Sequence, residues 1–300
     1  MSIYIFGKTP ENEKDKKSIR LLFENLCLTY KEIFVWEPLF VSIKNFLPEN
    51  SVIKTFCRKS DLNRHNNILL SLGGDGTMLD TVEFVIGTQI AVLGVNLGHL
   101  GFLTTAGRED IAHLVNEIQN NNFSIEKRPI LEVKYPNQVE ERHFAVNEAC
   151  FLSTNRGSII NIEVFVDDKY LSTYSADGII LATPTGSTAY SMAAGGPIIS
   201  PTSQCLCLTP IAPHNLTLRP IIISDNSQVK VRIAQTDNKC EMLLDGYSIF
   251  QKNNIEVVLK KSPYVWNLVR LENQDFFKAI RDKLMWGTTP KYLITPNSTL

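Results

Sequence analysis

The 300-residue chain is expected to fold as an open-sheet α/β domain, about residues 1–122, followed by an all-β domain, about 123–272, and a closing helical segment, 273–300. Three observations predict this. Up to about residue 122, short apolar runs alternate with helix-length stretches, the pattern of open α/β sheets. From about Phe123 helical spacing gives way to short strands separated by Pro, Gly, Asn and Asp. Helical spacing returns only at residues 273–285, where Phe276, Phe277, Ile280 and Leu284 make one apolar stripe. Length agrees, because single cores stop growing at roughly 250–300 residues.

Taken in order, residues 2–6 form an apolar run that reads as a first strand. Residues 16–28 then place Ile19, Leu22, Phe23 and Leu26 at helical spacing. Residues 67–72 predict a short buried strand that stops abruptly at Gly73-Gly74-Asp75-Gly76. Helical character resumes over 77–86, and 90–95 predicts another apolar strand. Strand, glycine turn, helix, strand is a βαβ arrangement, and open sheets bind ligands at the carboxyl ends of their strands. In the second part, strands are expected at 131–135, 159–166, 178–182, 229–233 and 255–259. Pro136-Asn137, Asp167-Asp168 and Thr236-Asp237-Asn238 supply turns between them. The striped terminal helix has to dock, and the first domain is the expected partner.

Composition narrows the function classes. With 44% hydrophobic and 20% charged residues the chain is neither disordered nor fibrous. Its net charge is −1 and no dense Lys/Arg run occurs, so the electrostatic footprint of a nucleic-acid or anionic-membrane partner is missing. Residues 1–7 have no basic head and no sustained apolar stretch, which predicts neither a signal peptide nor an anchor. No run approaches eighteen apolar residues, so no membrane span is expected. Six scattered cysteines, with Cys205 and Cys207 the only close pair, read as reduced cytosolic thiols rather than a zinc site.

Four stretches carry chemistry. In Gly73-Gly74-Asp75-Gly76-Thr77 the glycines let a ligand approach the main chain, and N–H groups at the following helix start favour a phosphate. Asp75 in that turn makes sense beside Mg²⁺ or as acceptor of a proton from an attacking hydroxyl. A tight turn capped by Asp is the plainer alternative. The hydroxyl-rich segment Thr183-Pro184-Thr185-Gly186-Ser187-Thr188-Ala189-Tyr190-Ser191 offers donors and an aromatic face, or else a self-satisfied turn. Asn147-Glu148 interrupts an apolar run, and such a pair can bond an adenine edge and ribose hydroxyls, or point to water at a sheet edge. A second glycine-rich loop, residues 94–103, carries His99 and Phe102. No G-x-x-x-x-G-K-[ST], G-x-G-x-x-G or G-x-S-x-G motif is present, which argues against P-loop NTPases, ordinary dehydrogenases and α/β-hydrolases.

Together, Gly-Gly-Asp-Gly-Thr, Gly-His-Leu-Gly-Phe-Leu, Asn-Glu, Asp-Gly-Ile-Ile-Leu-Ala-Thr-Pro-Thr-Gly-Ser-Thr-Ala-Tyr and Ala-Gly-Gly-Pro resemble the NAD kinase family, in the family's order, from about residue 67 to the terminal helix. The glycine turn alone is shared with diacylglycerol, sphingosine and phosphofructokinase-like kinases; the hydroxyl-rich segment with Asn-Glu is far more specific. The resemblance implies a Rossmann-like α/β domain joined to an all-β domain (a fold of NAD kinase and diacylglycerol kinase-like type). It implies transfer of a phosphoryl group from ATP, with a divalent metal such as Mg²⁺, to the adenosine ribose 2′-hydroxyl of NAD. A lipid kinase, a hydride-transferring oxidoreductase and a non-catalytic NAD sensor are weaker readings.

Under the resemblance Asp75 is the base and Gly76 lines its pocket, with Gly73, Gly74 and Thr77 handling phosphate. Asn147 and Glu148 hold adenosine. Thr188 and Tyr190 sit by adenine or its neighbouring ring, with Ser191 closing that segment. Asp177 and Ala189 address the nicotinamide end, and Phe102 packs near the dinucleotide. Ser175 stands where many relatives carry Arg, so acceptance of NADH beside NAD is expected, and Tyr247 replaces a polar residue seen in some relatives. A cytoplasmic homo-oligomer, dimer or tetramer, is also implied.

Overall fold

A computed structural model describes residues 2–48, 52–62, 67–98, 101–135, 138–155, 159–233, 240–252, 254–272 and 275–287. The first part contains β1 (Ile3–Gly7), α1 (Glu13–Thr29), β2 (Ile33–Trp36), α2 (Glu37–Ile43), β3 (Ile53–Phe56), β4 (Ile68–Leu72), α3 (Asp75–Asp80), α4 (Val82–Val85), β5 (Ala91–Val95) and α5 (Ile111–Gln119). There follow β6 (Phe123–Tyr135), β7 (Gln138–Ala145), β8 (Glu148–Ser153), β9 (Ile160–Val166), β10 (Lys169–Ala176), β11 (Gly178–Ala182) and α6 (Tyr190–Ala193). The chain continues through β12 (Cys205–Ile211), β13 (Ile221–Ser224), β14 (Val229–Ile233), β15 (Cys240–Leu244), β16 (Tyr247–Lys252), β17 (Ile255–Leu271) and α7 (Phe276–Leu284).

The first five strands pair in parallel in the order β3-β2-β1-β4-β5, five of the six strands of the Rossmann order, with the order reversing between β1 and β4. β1, β4 and β5 are buried at every residue, as strands covered on both faces must be. One face carries α1 and α5, whose Ile19, Leu22, Phe23, Leu26, Ile111 and Leu114 join a single core with the strands. The α1 stripe expected from spacing is therefore the buried face, and Asn12 caps the helix by accepting from the Asp15 N–H at 3.0 Å. The second part adds an antiparallel sheet, β13-β12-β11-β8-β15-β16. Its inner residues, among them Phe151, Ile179 and Met242, pack on Ile162, Val231 and Val257 of the larger sheet.

The division at residue 122 does not appear in the strand pairing. β17 runs for 17 residues. It pairs antiparallel with β14 and β6, then its Asn267 and Leu268 lie parallel beside Ala91 and Val92 of β5. Val269 and Leu271 thus belong to the first core. A single eleven-stranded sheet results, because one long strand serves both halves.

Three expectations need correction. Residues 77–86 are not one helix: α3 begins at Asp75, and the ladder breaks at Thr81, whose hydroxyl donates to the Met78 carbonyl at 2.7 Å. The stripe of the last helix is only partly a docking face, since Ile280 is buried while Phe277 is 65% exposed. The run around Asn147-Glu148 is not one interrupted strand: Asn147 lies in the turn after β7, and Glu148 is the first residue of β8, paired with Ala182. His99, the Pro136-Asn137 and Thr236-Asp237-Asn238 turns and the start of the predicted last helix fall outside the described residues.

Candidate active site

The glycine turn leaves β4 at the edge of its carboxyl end, where Gly73 N–H donates to the Val95 carbonyl at 3.0 Å. Gly73 adopts φ +150°, and a side chain there would collide with Thr77; the backbone and the space both require glycine. Thr77 is consequently buried beneath the turn rather than open to a ligand. Gly74 and Gly76 are exposed.

Asp75 meets the second glycine-rich loop. Its Oδ2 accepts from Phe102 N–H at 2.6 Å, and its Oδ1 accepts from Leu103 and Thr104 N–H at 3.1 and 3.2 Å. Gly101 makes the approach possible, because any Cβ there would lie inside the Asp75 carboxylate. The loop is braced from within: Thr104 Oγ1 accepts from Gly101 N–H at 2.9 Å and from Asn96 Nδ2 at 3.2 Å. A carboxylate offers about four acceptor positions, so three amides leave one on Oδ2 for a further donor.

A second corner forms at Asn147-Glu148. Asp245, in the turn between β15 and β16, accepts from Val146, Asn147 and Glu148 N–H at 2.7, 2.7 and 3.0 Å. The hydroxyl-rich loop clasps the same corner: Thr183 N–H donates to Asn147 O at 2.8 Å and Thr183 Oγ1 to Val146 O at 2.5 Å. The Tyr247 hydroxyl bonds Asp80 at the end of α3, joining this corner to the helix that starts at Asp75.

Glu148 is buried with its Oε2 unpartnered. Burial and then the charge of Asp245 push its carboxyl up to about 8, although the facing Tyr190 N–H favours the anion. Burial also raises Asp245, to about 6, against the three amides that hold its charge. At neutral pH the pair therefore keeps its proton on Glu148. Native Glu148 retains that proton well above the ordinary value of 4.5, so the folded state binds more protons than the unfolded and stability falls as pH rises. Asp245 acts in the same sense only up to about 6. The ligand-free protein is expected to lose melting temperature between about pH 6 and 8, and Glu148→Gln to flatten that slope. Superimposable profiles for the two proteins would rule out Glu148 as the titrating group.

The remaining sequence candidates divide. Tyr190 is 40% exposed and lies within electrostatic reach of Asp177 and Glu148. Asp177 is exposed just before β11, and Ala189 bridges residues 186–188 to α6. Thr188 and Phe102 line a cavity of about 720 Å³ with Arg128, Arg270 and Lys283. That cavity runs along α7, and Glu148 is not among the residues that line it. Ser191 turns inward to Thr209 Oγ1 at 2.9 Å, and Ser175 donates to Asn161 Oδ1 at 2.6 Å. Sequence reasoning missed Asp245 and Lys283. Asp245-Gly246 was legible only as a turn, and nothing in the terminal stripe marked Lys283.

The comparisons bear on both halves. A model described as the ATP-NAD kinase N-terminal domain matches residues 43–123, and one described as the ATP-NAD kinase C-terminal domain matches 146–271. An NAD kinase of Flavobacterium psychrophilum is 36% identical over 294 residues, covering 96% of this chain and 98% of that protein. One from Porphyromonas gingivalis is 35% identical, with 95% and 98% covered. A crystal structure of a yeast NADH kinase complexed with NADH superimposes with a TM-score of 0.86 at 26% identity, covering 96% of this chain and 89% of that one. An Archaeoglobus fulgidus NAD kinase in complex with ATP shares the fold, with a TM-score of 0.71 at 24% identity and 95% and 99% covered. The chain belongs to the NAD kinase family, and its reaction is the ATP-dependent phosphorylation of NAD to NADP.

Proposed function

We propose that Asp75 takes the proton of the adenosine ribose 2′-hydroxyl as that oxygen attacks the γ-phosphorus of ATP. The observation that carries this is the Asp75 carboxylate, fixed by three amides yet with an acceptor position left on Oδ2. A fixed carboxylate needs no reorganisation when the hydroxyl arrives, and positioning supplies most of the acceleration in such loose transfers. Gly73, Gly74 and Gly76 let the phosphates approach the main chain, with Thr77 supporting the turn from below. Asn147 and Glu148 hold adenosine, while Thr188, Tyr190 and Phe102 pack about the dinucleotide. Asp177 and Ala189 meet the nicotinamide end, and Ser191 steadies the segment through Thr209. The glycine turn supports kinship with diacylglycerol kinase-like enzymes.

No group of three or more His, Cys, Asp or Glu suited to a metal occurs among the described residues. The described residues of this site suit Mg²⁺ as a companion of the nucleotide, bound chiefly by phosphate oxygens. The cation would neutralise phosphate charge; no protein ligand is assigned to it. No described helix is long and apolar enough to cross a membrane, and the six cysteines are all free thiols. Free thiols agree with a reducing, cytoplasmic setting, and a homo-oligomer, dimer or tetramer, is the form expected from the family resemblance. The test is purified protein with Mg²⁺, ATP and NAD, coupled to an NADP-specific dehydrogenase. Absence of NADP formation would overturn the reading.

Nicotinamide preference follows from charge. Ser175 contributes no cation or anion, while the exposed Asp177 carboxylate attracts the cationic ring of NAD over the neutral ring of NADH. The likeness to a yeast NADH kinase agrees with some tolerance of the reduced form. NADH is expected to be phosphorylated measurably, NAD to be preferred, and Asp177→Asn to narrow the ratio of kcat/KM values. Complete rejection of NADH by the wild type would place discrimination elsewhere.

A further inference from the structure

Phosphoryl transfer brings two negative charges together, the Asp75 carboxylate and the non-bridging oxygens of the group in flight. The sequence has no P-loop lysine to offset them. Lys283, near the end of α7, lies within electrostatic reach of Asp75. Its Nζ lies over the Phe102 ring, 4.8 Å from the centroid, and the N–H of that same Phe102 is the shortest donor to Asp75. Lys283 is half-buried and lines the cavity beside Phe102. Burial weakens its hold on the proton, and attraction to Asp75 is the largest influence opposing this.

Of the other Lys and Arg side chains in the cavity wall, Lys278 is exposed, and the two arginines are committed to a carboxylate. Arg270 Nε donates to Glu126 at 2.7 Å, and Arg128 Nε stands 3.1 Å from the same Glu126. Lys283 instead keeps its ammonium on the aromatic face, which attracts a cation without neutralising it. A compact ammonium with three donors on a flexible stem can follow a phosphoryl group along its path better than a planar guanidinium.

We propose that Lys283 is a catalytic residue, binding a non-bridging oxygen of the phosphoryl group as it passes from ATP to the ribose. The inference rests on the phosphotransferase reading of the Asp75 site. In the step, the ribose 2′-oxygen bonds to the γ-phosphorus, and the bond from that phosphorus to the β,γ-bridging oxygen breaks with its electron pair leaving on ADP. The hydroxyl proton passes to Asp75. Lys283 keeps its own proton and donates hydrogen bonds where charge accumulates. The terminal helix then belongs to the active site, docked by Ile280 and capped at its start by Asp275, which accepts from Lys278 N–H at 2.6 Å.

Lys283→Ala and Lys283→Arg test this in the full-length protein. Removing a charge-stabilising donor typically costs ~10²–10³-fold in kcat. Lys283→Ala is expected to lose about that much, with the Kd for NAD within about threefold and the melting temperature unchanged. Lys283→Arg should recover part of the loss, and ethylammonium should restore the alanine variant saturably. A kcat within about threefold of wild type overturns the proposal. So does a loss accompanied by equal losses of NAD binding and stability that neither Arg nor ethylammonium repairs. Wild-type protein in the same coupled assay reports separately on the underlying reaction.

Discussion

Asp75→Asn is expected to reduce kcat by ~10²–10⁴-fold while the Kd for NAD shifts by less than about threefold, the range typical of losing a general base. The substitution preserves size and one acceptor oxygen but removes the anion proposed to take the ribose proton. It also sets an amide nitrogen against the N–H groups of Phe102, Leu103 and Thr104, at least one of which then lacks an acceptor. That mismatch costs about 1–3 kcal/mol where the group is desolvated, so a modest fall in melting temperature should accompany the catalytic loss. The two effects separate in the measurement. Chemistry appears in single-turnover rate with NAD saturating, and loop disturbance appears in thermal unfolding without ligand. A single-turnover rate within tenfold of wild type would remove Asp75 from the role of base.

Local patterns in the sequence were enough for the elements that bury a repeated face. Ile19, Leu22, Phe23 and Leu26 sit at helical spacing and all reach the core. The continuous apolar run of β11 is buried at every residue. The strand-turn-helix around Asp75 was equally plain, because a glycine-rich turn between apolar segments has few other readings. What escaped was carried by partners remote in sequence. Asp245 acts on residues 97 to 99 positions earlier, and in sequence it is only the Asp of an Asp-Gly turn. Lys283 lies between the residues of an amphipathic stripe, where a solvated lysine is the ordinary expectation. The length of β17 was hidden as well: Lys260, Lys261 and Ser262 interrupt its apolar alternation just where its pairing with β6 changes register. Motif resemblance compensated for these losses in assigning the reaction, because the residues that carry it cluster in short segments. It gave nothing on the residues that hold those segments in place.

Asp245→Ala is accordingly expected to damage NAD binding as strongly as a substitution in the binding corner itself. Asp245 holds the N–H groups of Val146, Asn147 and Glu148 in one carboxylate, and so fixes the direction in which the Asn147 and Glu148 side chains leave the turn. Alanine would leave three part-buried donors to find water or rearrange, at ~1–3 kcal/mol for each that fails. These costs share one site and do not add. A net loss of about 2–3 kcal/mol in stability is expected on that basis, with a Kd for NAD raised by tenfold or more, since ~1.4 kcal/mol of mispositioning is a factor of ten. Alanine is also strained at φ +48°, a conformation that Asn adopts more readily. Asp245→Asn therefore serves as the second variant: it keeps one acceptor and the backbone geometry, and should lose less of both stability and affinity. Asp245 acts through its neighbours, so single-turnover chemistry at saturating NAD should fall far less than affinity. If Asp245→Asn binds NAD as the wild type does while Asp245→Ala is merely unstable, Asp245 holds the fold and not the corner. If Kd rises in both variants in the order Asn below Ala, the carboxylate is what orients Asn147 and Glu148 toward the substrate.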